Sequence, residues 1–299
     1  MPKLRYPIPT VVYSTPRKLP KPASLKGRVA VLDIAFTAGS GKTSFEKNTL
    51  RFIEALGSRL AVWIDHHDHV MHAAYADDRR FVLRTKAEHP GCPELVTKER
   101  VSSAGPVDTV ICHTDFDGLC SAAKWLRGGE EPYPDADRDA RLIDTRLARP
   151  GEPAESIDRA LRARPADRRI RDTVLDYLVE GTRDERLFVA IGCAAEALVP
   201  LEQRARELAQ RYQVRGRVAV VRVPDGGPAY DKTELLMLGQ QRAPVAVVAD
   251  RSTVTAATAF DSGIDLLKLL DLSGGMPTVV SLPAKRLDFA LSRLGWERE

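Results

Sequence analysis

Three segments of this 299-residue chain are apolar from end to end and stop on an aspartate or a histidine: RVAVLD (28–33), LAVWID (60–65) and TVICH (109–113). A strand with one wet face alternates apolar and polar residues. A strand with no polar position needs cover on both faces, as in a parallel sheet between two layers of helices. TSFEKNTLRFIEALG (43–57) lies between the first two strands and reads as a helix, with Thr43 and Glu46 as a capping box and Gly57 past its end. Strand, helix and strand of this kind make a parallel βαβ unit. After the third strand, GLCSAAKWL (118–126) reads as a helix and RLID (141–144) as a fourth strand. Helical patterns then run from about Pro153 to Gln213, interrupted near Gly181 and Pro200, while residues 70–107 carry no clear period.

A second unit begins near Gly216. RVAVVRV (217–223), YDKTELLMLGQQ (230–241), PVAVVAD (244–250), STVTAATAF (252–260), GIDLLKLLDL (263–272) and PTVVSL (277–282) again alternate strand with helix, and predict a smaller α/β domain. The expected division is a proline-rich arm over 1–27, a first domain over 28–200, a helical connector over 201–215 and a second domain over 216–299. At 43% hydrophobic residues the chain can bury a core in each unit. No stretch approaches the ~18 consecutive apolar residues of a membrane span, and the basic, proline-rich start lacks the apolar centre of a signal peptide. A cytoplasmic protein is expected. The cysteines (Cys92, Cys112, Cys120, Cys193) form no C-x-x-C pair, so buried thiols are expected over disulfides or a zinc knuckle. A net charge of +4, from 45 basic and 41 acidic residues, is too even to indicate nucleic acid by itself.

The polar residues at the strand ends carry the chemistry. In CHTDFDG the residues His113, Asp115 and Asp117 alternate, so on an extended stretch they face one way, and Gly118 lets the chain turn into a helix. The first strand ends in Asp33 and the second in Asp65, His66, His67, Asp68 and His69. In open α/β sheets ligands collect at the carboxyl ends of strands. Three strands therefore deliver carboxylates and imidazoles to one sheet edge, where the carboxylates would repel one another unless cations neutralised them. Hard and borderline donors of this kind suit Mn2+ or Mg2+. FTAGSGKTS (36–44) looks like a phosphate-binding P-loop, but Phe36 stands where the first glycine of that pattern belongs. Nucleotide binding through Lys42 is the weakest of the functional readings.

IDHHDH (64–69) and CHTDFDGLCSAA (112–123) resemble two signature motifs of the DHH phosphoesterases. That family includes RecJ-type exonucleases, oligoribonucleases, cyclic-dinucleotide phosphodiesterases and manganese pyrophosphatases. The H-x-D-x-D-G spacing is most similar to the RecJ branch, and LFVAIGCAAEALVPLEQRA (187–205) resembles the stretch that carries the family's fourth motif. The order differs: the family places H-x-D-x-D before DHH, so the resemblance implies a circular permutation, with the family's first strand starting near Val107 and RLID as its second. It implies an α/β fold, a parallel-sheet DHH-type domain with helices on both faces plus a second smaller α/β domain, and two bound ions. Asp33 would bridge the ions, His113 and Asp115 would complete one site, and Asp117 and His66 the other. His67 would face the substrate phosphate as hydrogen-bond donor or acid, and Asp65 would orient the histidines. Glu196 is the closest match to the fourth-motif aspartate, with Asp144 in reserve.

In the second domain the family carries a glycine run closed by histidine and an arginine–serine phosphate grip. The matching region, FDSGIDLLKLLDLSGGMPTVVSLP (260–283), keeps Gly274 and Gly275, but has Met276 for the histidine and Asp261 before Ser262. Arg251 or Lys285 would have to supply the cation. The resemblance therefore implies a metal-dependent phosphoesterase, possible exonuclease included, acting on a nucleotide or short single-stranded nucleic acid. A catalytically inactive scaffold of the same fold that binds nucleic acid or protein is the alternative. With 6% aromatic residues, no stacking platform for a long strand is evident.

Overall fold

The computed structural model describes residues 8–39 and 43–296. In the first domain, β1 (Thr10–Tyr13) and β2 (Val29–Leu32) precede α1 (Thr43–Phe45), which runs through a π-helical turn into α2 (Arg51–Leu56). Then come β3 (Leu60–Asp65), β4 (Asp68–His69), β5 (Phe81–Leu83), α3 (Lys98–Ala104) and β6 (Thr109–Cys112). Six helices follow: α4 (Phe116–Leu126), α5 (Ala136–Thr145), α6 (Ala154–Ala163), α7 (Arg168–Val179), α8 (Glu185–Glu196) and α9 (Val199–Ala209).

The main sheet has the order β1-β6-β2-β3-β5 with every pairing parallel. Its strands are apolar throughout because their side chains feed two cores. Ala30, Leu32, Ile64, Val110 and Cys112 enter one, shared with Phe116, Leu119, Ile157 and Val174 of the later helices. Val29, Val31, Leu60, Trp63 and Ile111 enter the other, shared with Phe45, Phe52 and Leu56 of α1–α2. Each aliphatic side chain so buried contributes about 1.5–3 kcal/mol.

Two expectations change. RLID is not a strand: it is the last full turn of α5, whose buried residues Ala136, Ala140 and Ile143 recur at helical spacing. The fifth place in the sheet goes instead to β5, from the segment without a clear period, and β1, from the proline-rich start, forms the opposite edge. An edge strand needs hydrogen bonds on one side only, which lets it lie between prolines. Tyr13 anchors it by donating a 2.7 Å hydrogen bond to Asp172 of α7.

The second domain contains β7 (Gln213–Arg215), β8 (Val218–Arg222), α10 (Lys232–Gln240), β9 (Val245–Ala249), β10 (Thr253–Thr258), α11 (Leu266–Leu269), β11 (Gly274–Gly275), β12 (Val279–Pro283) and α12 (Leu287–Leu294). Its sheet, β12-β10-β9-β8-β7, is parallel only between β8 and β9. Ala205, Leu208 and Ala209 of α9 pack into its core, so the connecting helix belongs structurally to this domain.

Among the described residues, several contacts join the domains near the strand ends. β4 and β11 pair antiparallel, Asp68 with Gly275 and His69 with Gly274. The Ser273 N–H donates to the Gly39 carbonyl at 3.0 Å, and the Gly39 N–H donates to Ser273 Oγ at 3.1 Å. Cys92, Cys112 and Cys120 are buried thiols and Cys193 is exposed. No helix among the described residues is long and apolar enough to cross a membrane.

Candidate metal centre

Because β6, β2 and β3 are neighbours and parallel, the residues that follow them share one edge. Asp33 follows β2, Asp65 ends β3 with His66 and His67 behind it, and His113 follows β6. Asp33 leaves its strand at φ +56°, in the left-handed region that costs most residues about 1–2 kcal/mol and aspartate less. The turn buries its carboxylate between its two neighbours. Donor atoms gather in three groups, each within 4.8 Å: Asp33, His66 and His67; Asp33, His113 and Asp115; His66, Asp117 and Asp144.

The HTDFDG segment does not stay extended. The strand ends at Cys112, Asp115 caps α4 by accepting from the Gly118 N–H at 3.1 Å, and Asp117 lies in the first helical turn. The three polar residues are thus split: His113 and Asp115 join one side of Asp33, and Asp117 turns toward His66. Gly118 is required for close approach rather than for the turn, because a Cβ there would stand 2.7 Å from the backbone and Cβ of His113.

Each histidine is fixed by its second nitrogen. His66 Nδ1 donates to the His89 carbonyl at 2.8 Å, which aims Nε2 at Asp117, 3.0 Å away, and at Asp33, 3.3 Å away. His67 Nδ1 donates to the fully buried Asp65 at 2.9 Å, leaving its other nitrogen for the cavity it lines. His113 Nδ1 contacts Asp115 at 2.7 Å. Burial raises the Asp33 carboxyl, and the Asp117 charge raises it further. Burial and the Lys86 ammonium push His66 down, but the Asp117 and Asp33 carboxylates outweigh them and lift it to about 9. Burial also opposes the charge of His113, yet Asp115 dominates and holds it at about 9. Asp65 shows the converse: burial raises it, and His67 and His66 bring it below the usual carboxylate range.

These donors fit a divalent cation. Asp33 Oδ1 is buried and accepts no hydrogen bond among the described residues, a costly state for a carboxylate oxygen. The other donors at this edge are carboxylate and imidazole, which are ligands for a divalent ion.

The remaining site expectations divide. Asp144 stands in the group with His66 and Asp117, whereas Glu196 ends α8 with an exposed side chain and belongs to none of the groups. On α8 the buried positions are Ile191, Ala194 and Ala195, so the face carrying Glu196 looks outward. Arg251 is exposed between β9 and β10 and lines a separate depression with Tyr230 and Lys232. Ser40, Gly41 and Lys42 of the P-loop-like segment lie outside the described residues. Gly274 and Gly275 sit at the domain junction, where a Cβ on Gly274 would meet the His69 ring at 2.3 Å. His69 takes no part in the donor groups and packs against Phe36 and Phe45.

Two cavities open on the donor groups. One, of about 870 Å³, is lined by His67, His113, Gly274, Gly275 and the cations Arg17, Lys285 and Arg286. The other, of about 590 Å³, reaches Asp115, Asp117 and Asp144, with Arg146 and Arg162 at its side. Met276 borders both. Sequence reasoning missed Lys86, whose side chain is buried at 2% exposure with Nζ against Asp144 and 2.6 Å from His66 Nε2. Its only local signal is Thr85 with Glu88, a turn closed by the Glu88 carboxylate on the Thr85 N–H at 2.8 Å.

No family model matches the chain, and no curated protein matches its sequence. Among solved structures, the chain is similar to a pGpG-specific phosphodiesterase, PggH from Vibrio cholerae, at 12% identity and a TM-score of 0.43, covering 91% of this chain and 100% of that one.

Proposed function

We propose that the chain is a divalent-metal-dependent phosphoesterase of the DHH type that hydrolyses a phosphodiester of a nucleotide or short oligonucleotide. One observation carries the reading: three strand ends, the start of α4 and the end of α5 bring Asp33, His66, His113, Asp115, Asp117 and Asp144 into overlapping donor groups around a buried carboxylate oxygen without a hydrogen bond. The likeness of IDHHDH and CHTDFDG to the family's motifs supports it. The permuted order is part of the reading, and Asp144 takes the fourth-motif role in place of Glu196.

Asp33, His113 and Asp115 would hold one divalent ion, and Asp33, His66, Asp117 and Asp144 would surround a second cationic subsite. Such an ion supplies Lewis acidity toward a phosphoryl oxygen and lowers the pKa of an attacking water. Asp65 accepts from His67 Nδ1 and stabilises the imidazolium, whose Nε2–H would donate to the substrate phosphate or protonate the leaving oxygen, an effect of about 10²–10⁴ in rate. Arg17, Lys285 and Arg286 bind the flanking anionic groups of a substrate in the larger cavity.

The test is hydrolysis of bis-p-nitrophenyl phosphate, dinucleotides and short single-stranded oligonucleotides with Mn2+, set beside Asp115→Ala and excess chelator. Metal-dependent cleavage that Asp115→Ala lowers at least a hundredfold is expected. Cleavage that persists in chelator, or in the variant, refutes the reading. Failure to bind any divalent ion leaves a scaffold of the same fold.

A further inference from the structure

We infer that Lys86 is the resident cation of the second subsite, so that this protein takes a single divalent ion, at Asp33, His113 and Asp115. This rests on the phosphoesterase reading and departs from the pair of ions that the family resemblance implies.

The turn after β5 is built around His66. Thr85 and Glu88 close it, and the Lys86 N–H donates to Asp68 at 3.2 Å. From this one turn the His89 carbonyl accepts a hydrogen bond from His66 Nδ1, while Lys86 Nζ comes within 2.6 Å of Nε2. The ring is held from both ends, by the carbonyl at Nδ1 and the lysine at Nε2. The same ammonium lies against Asp144 Oδ2. Lys86 therefore touches two of the three donor atoms that define the His66, Asp117 and Asp144 group.

Lysine is almost never buried to this degree without partners. Here its side-chain partners are the Asp144 carboxylate and the His66 ring, and Asp117 stands 3.0 Å from the same His66 nitrogen. A divalent ion placed on the same donors would stand against a buried positive charge at contact distance. The Asp33, His113 and Asp115 group differs. Among the described residues no lysine or arginine ion-pairs with those three side chains, and His113 borders the larger cavity. One open site and one internally filled site follow from the placement of a single side chain.

The measurement is Mn2+ stoichiometry by equilibrium dialysis with elemental analysis, together with the Mn2+ electron paramagnetic resonance spectrum, on wild type, Lys86→Met and Lys86→Gln. The expected result is one ion per wild-type chain with an isolated six-line spectrum. Lys86→Met should gain a second ion and show the spectrum of a coupled pair. Lys86→Gln, which keeps a polar end in the pocket, checks the result if the methionine variant fails to fold. Two ions in wild type, or one in every variant, overturns the role of Lys86 and leaves the phosphoesterase reading standing. No ion in any of the proteins overturns both.

Discussion

Replacing Asp33 with asparagine should separate the cost of this site from its purpose. Asparagine tolerates the left-handed backbone as well as aspartate does, so the φ of +56° is kept and only the charge changes. The carboxylates of Asp33 and Asp117 approach the same His66 Nε2, at 3.3 and 3.0 Å, so they stand within about 6 Å of each other. At an effective dielectric of about 20, two charges at that distance repel by roughly 3 kcal/mol. Lys86 and His66 offset part of this, which leaves a gain of about 1–2 kcal/mol when the Asp33 charge is removed in chelator. For a chain of this size that raises Tm by roughly 2–8 °C. Excess Mn2+ reverses the ranking. At a hundred times Kd the wild type gains about 2.7 kcal/mol, and a protein that cannot bind gains nothing. Calorimetry or dye-monitored melting, with chelator and then with Mn2+, reads both effects. An asparagine variant that melts below wild type in chelator, or that gains as much from Mn2+, would refute the claim that Asp33 is held in a strained turn for a metal.

Asp144→Asn should lower metal-dependent hydrolysis at least tenfold, whereas Glu196→Ala should stay within twofold of wild type; equal effects in a steady-state assay would return the fourth-motif role to Glu196. Gly118→Ala should weaken Mn2+ binding measured by calorimetry and cost about 1–3 kcal/mol in denaturant unfolding, since its Cβ would lie 2.7 Å from the His113 backbone, which has to shift. Asp158 receives Arg146 at 2.8 and 3.0 Å and Arg162 at 3.0 Å; burial raises its carboxyl, but the two guanidinium groups outweigh it and hold it below the usual range. Its stabilising contribution is therefore present above about pH 4 and lost as the pH falls below that. Asp158→Asn should cost about 3 kcal/mol at neutral pH and flatten the acid side of a stability–pH curve.

The parts of this molecule legible in its sequence are those whose signal is local. Continuous apolar runs that end in Asp33, Asp65 and His113 need cover on both faces, and the sheet supplies it. The four residues of RLID are too few to show a period; extended back to Ala136, the pattern is helical. Asp117 was assigned to an extended stretch because alternation looks alike in a strand end and in a helix cap followed by its first turn. Glu196 attracted notice through the likeness around it, but that likeness lies in the buried positions of α8 and says nothing of the outward face. Lys86 had no signal of its own. A lysine in an unpatterned loop becomes informative only when tertiary structure buries it against His66.

The sheet order also explains why Asp33 is the residue that joins the donors at the end of β3 to those at the end of β6. Neighbouring strands lie about 4.8 Å apart, so donors at adjacent ends can reach one ion, while donors two strands apart stand near 10 Å and cannot. With β2 between β6 and β3, the residue that ends β2 is the one able to pair with both His113 on one side and His66 on the other. Asp117 belongs to the β6 side by sequence and reaches His66 only because α4 carries it back across the edge of the sheet. None of these relations depends on which strand the chain makes first. A permuted order can therefore preserve the chemistry, provided that the segment from 70 to 107 carries the chain from β3 past β5 and back to the far side of β2, as it does here.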